Sequence, residues 1–269
     1  MTLCIAWLEQ EEVHFASDSR ISLQNNFVDF GIKILSKTVN VYHSDKPKFS
    51  GFQPIQTQQI GICAAGSFLT FFMTVESLTE VLKNLQFSQG YSVLSMESIC
   101  KIIKFFYEKM NVGICNALGG NGILTMIVTG YCFDNNKFKT FKFEIDASNY
   151  PIKSNYSEIL IDKNYIFIGS GEQKATEIKN QNCHKEFFEI LRDVIEDSNI
   201  DTVNGPIQYG KTNITTNDFE IVGISCVTQD LKGDNVAKYY LNSLEMYTKE
   251  FSDYFTEVSL AEIYILPFE

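Results

Sequence analysis

The second residue of the chain is a threonine, standing directly ahead of the apolar run LCIAWL. A start methionine followed by so small a residue is ordinarily trimmed, which would leave Thr2 with a free α-amine beside its own hydroxyl. A nucleophile and a base would then share one residue, a pairing that can serve acyl transfer at an amide carbonyl. Other polar residues interrupt runs where a strand-rich core favours apolar ones: Asp18 in FASDSR, Lys33 in GIKIL, Ser170 in GSG, Asp201 and Asn204 in DTVNG. If the strand ends carrying them converge on Thr2, the amine takes the hydroxyl proton, directly or through water. Lys33 assists by its charge, and Asp18 holds Lys33 in place. Gly66, in CAAGS, lies where a strand hands over to a helix, so its N–H is placed to bind an oxyanion. Taken singly, each feature has an ordinary explanation: an Asp in a turn, a strand lysine reaching to solvent, GSG as a turn. Their order along the chain carries the chemical reading.

The elements that must position these residues follow from periodicity. TLCIAWL and VHFASDS, separated by the polar turn EQEE, predict a hairpin whose first strand is buried on both faces. GIKIL predicts a third extended piece, and Ser36 to Gln58 reads as a long polar loop before the strand IQTQQIGICAAG. Phe68, Phe71, Phe72, Val75, Leu78, Leu82 and Leu85 recur at three- and four-residue steps, the mark of one buried helical face. A second such helix runs from about Met96 to Asn116. Strands ILTMIVTGYC and FKTFKFEI, joined by DNNK, follow; beyond YIFIGSG come helix around FFEILRDVI and strands around PIQYGK and FEIVGISCV. This order suits an α+β fold of two packed sheets flanked by helix layers. The weakly patterned tail predicts one helix at AKYYLNSLEMYTKEF. The expected organisation is one domain over residues 1–225 with a C-terminal extension, 226–269, packed on it.

With 269 residues, 45% of them hydrophobic and 13% aromatic, the chain can bury a sizeable core. A formal charge of −11 without a dense Lys/Arg cluster argues against nucleic acid and anionic membranes as partners. The seven cysteines are scattered through apolar runs without CxxC or zinc spacing, which predicts reduced core thiols and a cytoplasmic location. The N-terminus meets Glu9, Glu11 and Glu12 after a short apolar run, unlike a signal peptide. His14, His43 and His184 are far apart, and LGGNG precedes a strand without a following Lys-Ser/Thr. No metal or cofactor is called for.

The succession TLCIAW, FASDSR, GIKIL, CAAGS plus helix, FIGSG plus helix, and DTVNG resembles the proteasome β-subunit and its bacterial relatives. These relatives are the peptidase of the two-part ATP-dependent protease and the ancestral β-like proteins, all N-terminal nucleophile hydrolases. The resemblance covers about residues 2 to 225 and implies a four-layer α-β-β-α sandwich. It implies Thr2 as catalytic threonine, Asp18 and Lys33 as its acid and base-tuning pair, and Gly66 as oxyanion donor. Ser170, Asp201 and Asn204 are the implied polar group around the terminal amine. Asn204 stands where that family usually has serine, and Asp18 and Lys33 are one residue closer than usual. A protein or peptide substrate, a homo-oligomeric ring and a separate ATP-dependent unfoldase are further implications. A catalytically silent scaffold and a small-molecule amidase remain the alternatives, the former expected if Lys33 points away from Thr2.

Overall fold

Strand β1 (Leu3–Glu9) divides its side chains by parity between two cores. Leu3, Ile5 and Trp7 pack on one face with Phe167, Ile190, Leu191 and Val194; Cys4 and Ala6 pack on the other with Phe15, Ile34, Cys63 and Ile127. The two-residue period of a strand dictates that split, and burial on both faces explains why the run is continuously apolar. The computed structural model describes residues 2–23, 26–45, 51–146, 152–229, 235–246, 248 and 265–268.

From β1 the chain reverses through Gln10 and Glu11, both at positive φ, into β2 (Glu12–Ser17), the hairpin predicted across EQEE. On its other edge β1 pairs with β11 (Tyr165–Gly169). Beyond β2 lie β12 (Gln208–Asn213), β13 (Asp218–Gln229), β14 (Asn235–Leu241) and β15 (Leu244–Met246), and β16 (Ile265–Phe268) runs parallel to β13. A second sheet has the order β10 (Lys153–Ile159), β9 (Lys137–Asp146), β8 (Leu124–Cys132), β6 (Gln56–Gly66), β5 (Ile34–Tyr42), β7 (Leu85–Gln86). A separate ribbon joins β3 (Ile21–Leu23) to β4 (Asn26–Val28).

The two long helices form near where the periodicity placed them, except that the first ends at Leu82, leaving Leu85 to β7, and its Phe68 and Phe72 are exposed rather than part of the buried face. Helix α1 (Phe68–Leu82) starts at Ser67, whose side chain accepts from Thr70 N, and α2 (Met96–Leu118) starts at Ser95, capped in the same way onto Ser98 N. Their buried faces, Phe71, Val75, Leu78, Ile99 and Ile103 among them, meet Ile60, Ile62, Met126 and Phe143 of the second sheet. Helices α3 (Glu172–Gln181) and α4 (Phe187–Glu196) contribute Ala175, Ile190, Leu191 and Val194 to the core on the outer side of β1.

Three expectations are corrected. The α+β four-layer α-β-β-α sandwich does not describe the architecture: the described residues form three sheets of eight, six and two strands with four α-helices. The excess of strand comes from segments whose local pattern was under-read. The start of the expected helix, AKYYL, lies instead in β14, because its aromatic residues extend and Asn242 and Ser243 (φ 46° and 72°) close a two-residue hairpin onto β15. The Ser36 to Gln58 segment is not a long loop at its start, since β5 continues to Tyr42 with Val39 and Val41 buried against α1 and β6; residues 46–50 lie outside the described residues.

Candidate active site

The β1–β2 register brings Asp18 to Thr2. Cys4 pairs with Ser17, so the residue after the strand end faces the start of the chain, and Leu3 N donates to Asp18 Oδ1 at 2.9 Å. Lys33 arrives from a different sheet, immediately before β5, with its carbonyl accepting from Ala64 N at 3.1 Å. Its Nζ donates to Thr2 Oγ1 and lies 2.8 Å from Asp18 Oδ1; Thr2 Oγ1 in turn donates to Asp18 Oδ1. Thr2, Asp18 and Lys33 are 2%, 0% and 6% exposed, so a hydroxyl, a carboxylate and an ammonium meet out of water. Burial of this kind is tolerated only when each charge is paired and the remaining lone pairs are filled. The second oxygen of Asp18 is filled by the amides of Arg20 (3.0 Å) and Asn204 (3.2 Å).

The turn after β11 grips the residue that bears the hydroxyl. Thr2 O accepts from Gly171 N at 3.3 Å and from Ser170 Oγ at 3.4 Å, and Ser170 also pairs with Thr202 Oγ1 at 2.9 Å. Only glycine fits at 169: φ is 105°, and a Cβ there would stand 2.1 Å from Thr2 O. That same Cβ would lie 3.2 Å from Ala65 Cβ, so the end of β6 abuts the turn, with Gly66 next along the chain, exposed at φ 116°.

Asp201 and Asn204 take part differently from the expected way. Asp201 is exposed, and its carbonyl accepts from Arg20 Nη1 at 2.7 Å; among the described residues its carboxylate makes no hydrogen bond to Thr2. Asn204 contributes main chain: its N–H serves Asp18 and its carbonyl receives the amides of Ser19 (3.1 Å) and Arg20 (2.9 Å), while its side chain accepts from Gly205 N. A loop acting through its backbone accommodates asparagine in place of serine.

Two residues escaped the sequence reading. Arg20, the last letter of ASDSR, forks onto Asp29 at 2.6 and 2.7 Å, sits 4.6 Å from the Phe27 ring centre and reaches the 201–204 loop. The hydrogen-bonded pair raises the Arg20 pKa and lowers that of Asp29. An arginine two residues after a candidate acid was the available signal; its partners were not. Gln208, at the start of β12, accepts from Lys33 N and had no local signal. Among the described residues no three His, Cys, Asp or Glu side chains converge as metal ligands. A cavity of about 570 Å³, lined by Trp7, Glu9, Lys179 and Phe187, lies toward the far end of β1 from Thr2. No described helix is long and apolar enough to cross a membrane.

No protein-family model and no curated protein matches the chain by sequence. Solved structures match it in fold. The Anbu complex from Pseudomonas aeruginosa, described as a helical assembly, shares 14% identity over 93% of this chain and 90% of that one, with a TM-score of 0.55. Anbu (ancestral beta-subunit) from Yersinia bercovieri shares 16% over 81% and 86%, at 0.54. A mutant of Anbu from Hyphomicrobium sp. strain MC1 shares 14% over 94% and 91%, at 0.56. At such identities the likeness is one of fold alone. It narrows the wider resemblance: these neighbours are consistently Anbu, not the proteasome β-subunit or the peptidase of the two-part protease, and that expectation is corrected accordingly.

Proposed function

We propose that the chain is a threonine-type amide hydrolase whose nucleophile is Thr2 after loss of Met1. One observation carries the reading: Thr2 Oγ1 is hydrogen-bonded to both Lys33 Nζ and Asp18 inside a buried cluster. The silent-scaffold alternative expects Lys33 to point away from Thr2, and it points at the hydroxyl. In the proposed reaction the Thr2 amine takes the hydroxyl proton as Oγ bonds to the substrate carbonyl carbon. The ammonium of Lys33 steadies the developing alkoxide, and Gly66 N–H receives the oxyanion. The C–N bond breaks with return of the proton from the Thr2 ammonium to the leaving amine, and water then hydrolyses the Thr2 ester. Ser170, Asp201 and Asn204 hold the surrounding turns, Asp201 through its carbonyl.

Peptide bonds are the proposed substrate, within a homo-oligomer served by a separate ATP-dependent unfoldase; the helical assembly of the Pseudomonas neighbour supports self-association. Intact mass before and after treatment with a threonine-directed β-lactone tests the reading. Loss of one methionine and a single adduct, absent in Thr2→Ala, is expected. A retained Met1 without adduct refutes it.

A further inference from the structure

Lys33 has to be held where its ammonium meets Thr2, yet the residues just ahead of it belong to no strand. The β5–β6 ladder begins at the Ile34–Cys63 pair, leaving Gly31 to Lys33 outside regular pairing. One side chain from the other sheet grips this segment. Gln208 is 2% exposed; its Oε1 accepts from Lys33 N at 2.9 Å and from Ile34 N at 3.3 Å, and its Nε2 donates to Gly31 O at 2.6 Å. We propose that Gln208 is the positioning residue that sets Lys33 against Thr2. The proposal rests on the reading of Thr2 as nucleophile and Lys33 as its activating charge.

The placement is tied to the same scaffold that carries Asp18. Gln208 pairs in register with Ser17, the residue before Asp18, so β2 and β12 together deliver the carboxylate and the clamp. Ala64 N, from the second sheet, holds Lys33 O at 3.1 Å. The Lys33 peptide is thus held on one side by the sheet bearing Thr2 and Asp18 and on the other by the sheet bearing Gly66. Its ammonium can keep to Thr2 Oγ1 only while both grips persist. The chemistry also selects the residue type. A primary amide joins an acceptor able to take two N–H groups to a donor for a carbonyl. A carboxylate in its place keeps the acceptor, loses the donor to Gly31 O and adds a buried negative charge beside Lys33 and Asp18. A thioether fills the volume and makes none of the three bonds. A displacement of about 1 Å at a reacting group is enough to cost about 100-fold in rate.

The test compares the wild-type chain with Gln208→Met and Gln208→Glu. Its readouts are the rate of β-lactone adduct formation on Thr2 across a pH series and amide hydrogen exchange in the peptide spanning residues 31–34. Gln208→Met is expected to label about 100-fold more slowly, with the ascending limb of its pH profile displaced, and to exchange faster at Lys33 and Ile34. Gln208→Glu is expected to keep the exchange protection while still displacing the pH profile, and it decides the matter if the methionine variant does not fold. Wild-type rates and pH profiles in the folded variants overturn the proposal. So does a loss that only follows the unfolded fraction with an unchanged profile, which is what a merely structural role produces. A wild-type chain that forms no Thr2 adduct refutes the parent reading, and this inference with it; an adduct on wild type with unaffected Gln208 variants refutes this inference alone.

Discussion

Lys33→Met is the most informative single change. Methionine is close in volume to the lysine stem, and the main-chain bonds of residue 33 to Gln208 and Ala64 do not depend on its side chain, so no cavity or backbone term obscures the result. What disappears is the positive charge 2.8 Å from Asp18 Oδ1 and bonded to Thr2 Oγ1. Breaking a fully buried ion pair costs about 3–5 kcal/mol, because the remaining charge stays desolvated. Asp18 still accepts from Leu3 N, Arg20 N, Asn204 N and the Thr2 hydroxyl, which places the cost near the lower end, about 3 kcal/mol. For a chain of this size that is a fall in thermal midpoint of about 6–12 °C. Adduct formation at Thr2 should fall by about 10²–10⁴-fold, the range of a positioned proton-transfer or charge-stabilising group. Calorimetry and β-lactone labelling read the two effects separately, and a cycle with Asp18→Asn isolates the pair, with a coupling of about 0.5–3 kcal/mol expected. If Lys33→Met unfolds at the wild-type midpoint, the account of a paired buried charge is wrong. If it labels at the wild-type rate, Lys33 has no part in activating Thr2.

Thr2→Ser retains hydroxyl and amine and should keep part of the labelling that Thr2→Ala abolishes, a difference intact mass resolves. Gly169→Ala forces a Cβ to within 2.1 Å of Thr2 O at a φ of 105°, so loss of labelling and destabilisation of about 1–3 kcal/mol or more are expected. Gly113→Ala, at an exposed position in the C-terminal part of α2 with nothing within 4 Å, should instead stabilise by about 0.4–1 kcal/mol in denaturant melts. His14 stacks on Trp7 and bonds Tyr209 Oη at 2.7 Å, and burial lowers its pKa below the usual 6.5. Its neutral form therefore belongs to the fold: the contribution is present above an unfolded-state value of about 6.5 and is lost as pH falls below it. The wild-type thermal midpoint should drop between pH 7.5 and 5 more steeply than that of His14→Phe; equal slopes count against the assignment.

Much of the scaffold was legible because its signals are local. The two-faced burial of Leu3 to Trp7, the turn at Gln10 and Glu11, and the stripes of α1 and α2 depend on residues a few positions apart. The hairpin itself was predictable, and its two-residue turn fixes the register that ends β2 beside the start of the chain. Local reading failed where a segment's pattern was diluted by polar positions, as in β5, or where aromatic residues fit either period, as in β14.

By itself the sequence determined that a threonine stands at the head of a buried strand, with an acid at the end of its hairpin partner and a lysine inside the apolar run GIKIL. It could not determine that these meet. The Lys33 side chain crosses from the sheet of β5 to the sheet of β1, and its backbone is held by Gln208, 175 residues away along the chain. Asp201 was expected to act through its carboxylate but engages Arg20 through its carbonyl, and Asn204 works through amide and carbonyl groups that every residue except proline possesses. Side-chain type and spacing register chemistry only within an element. Contacts between elements depend on strand register and on how two sheets pack, and only the tertiary structure decides those.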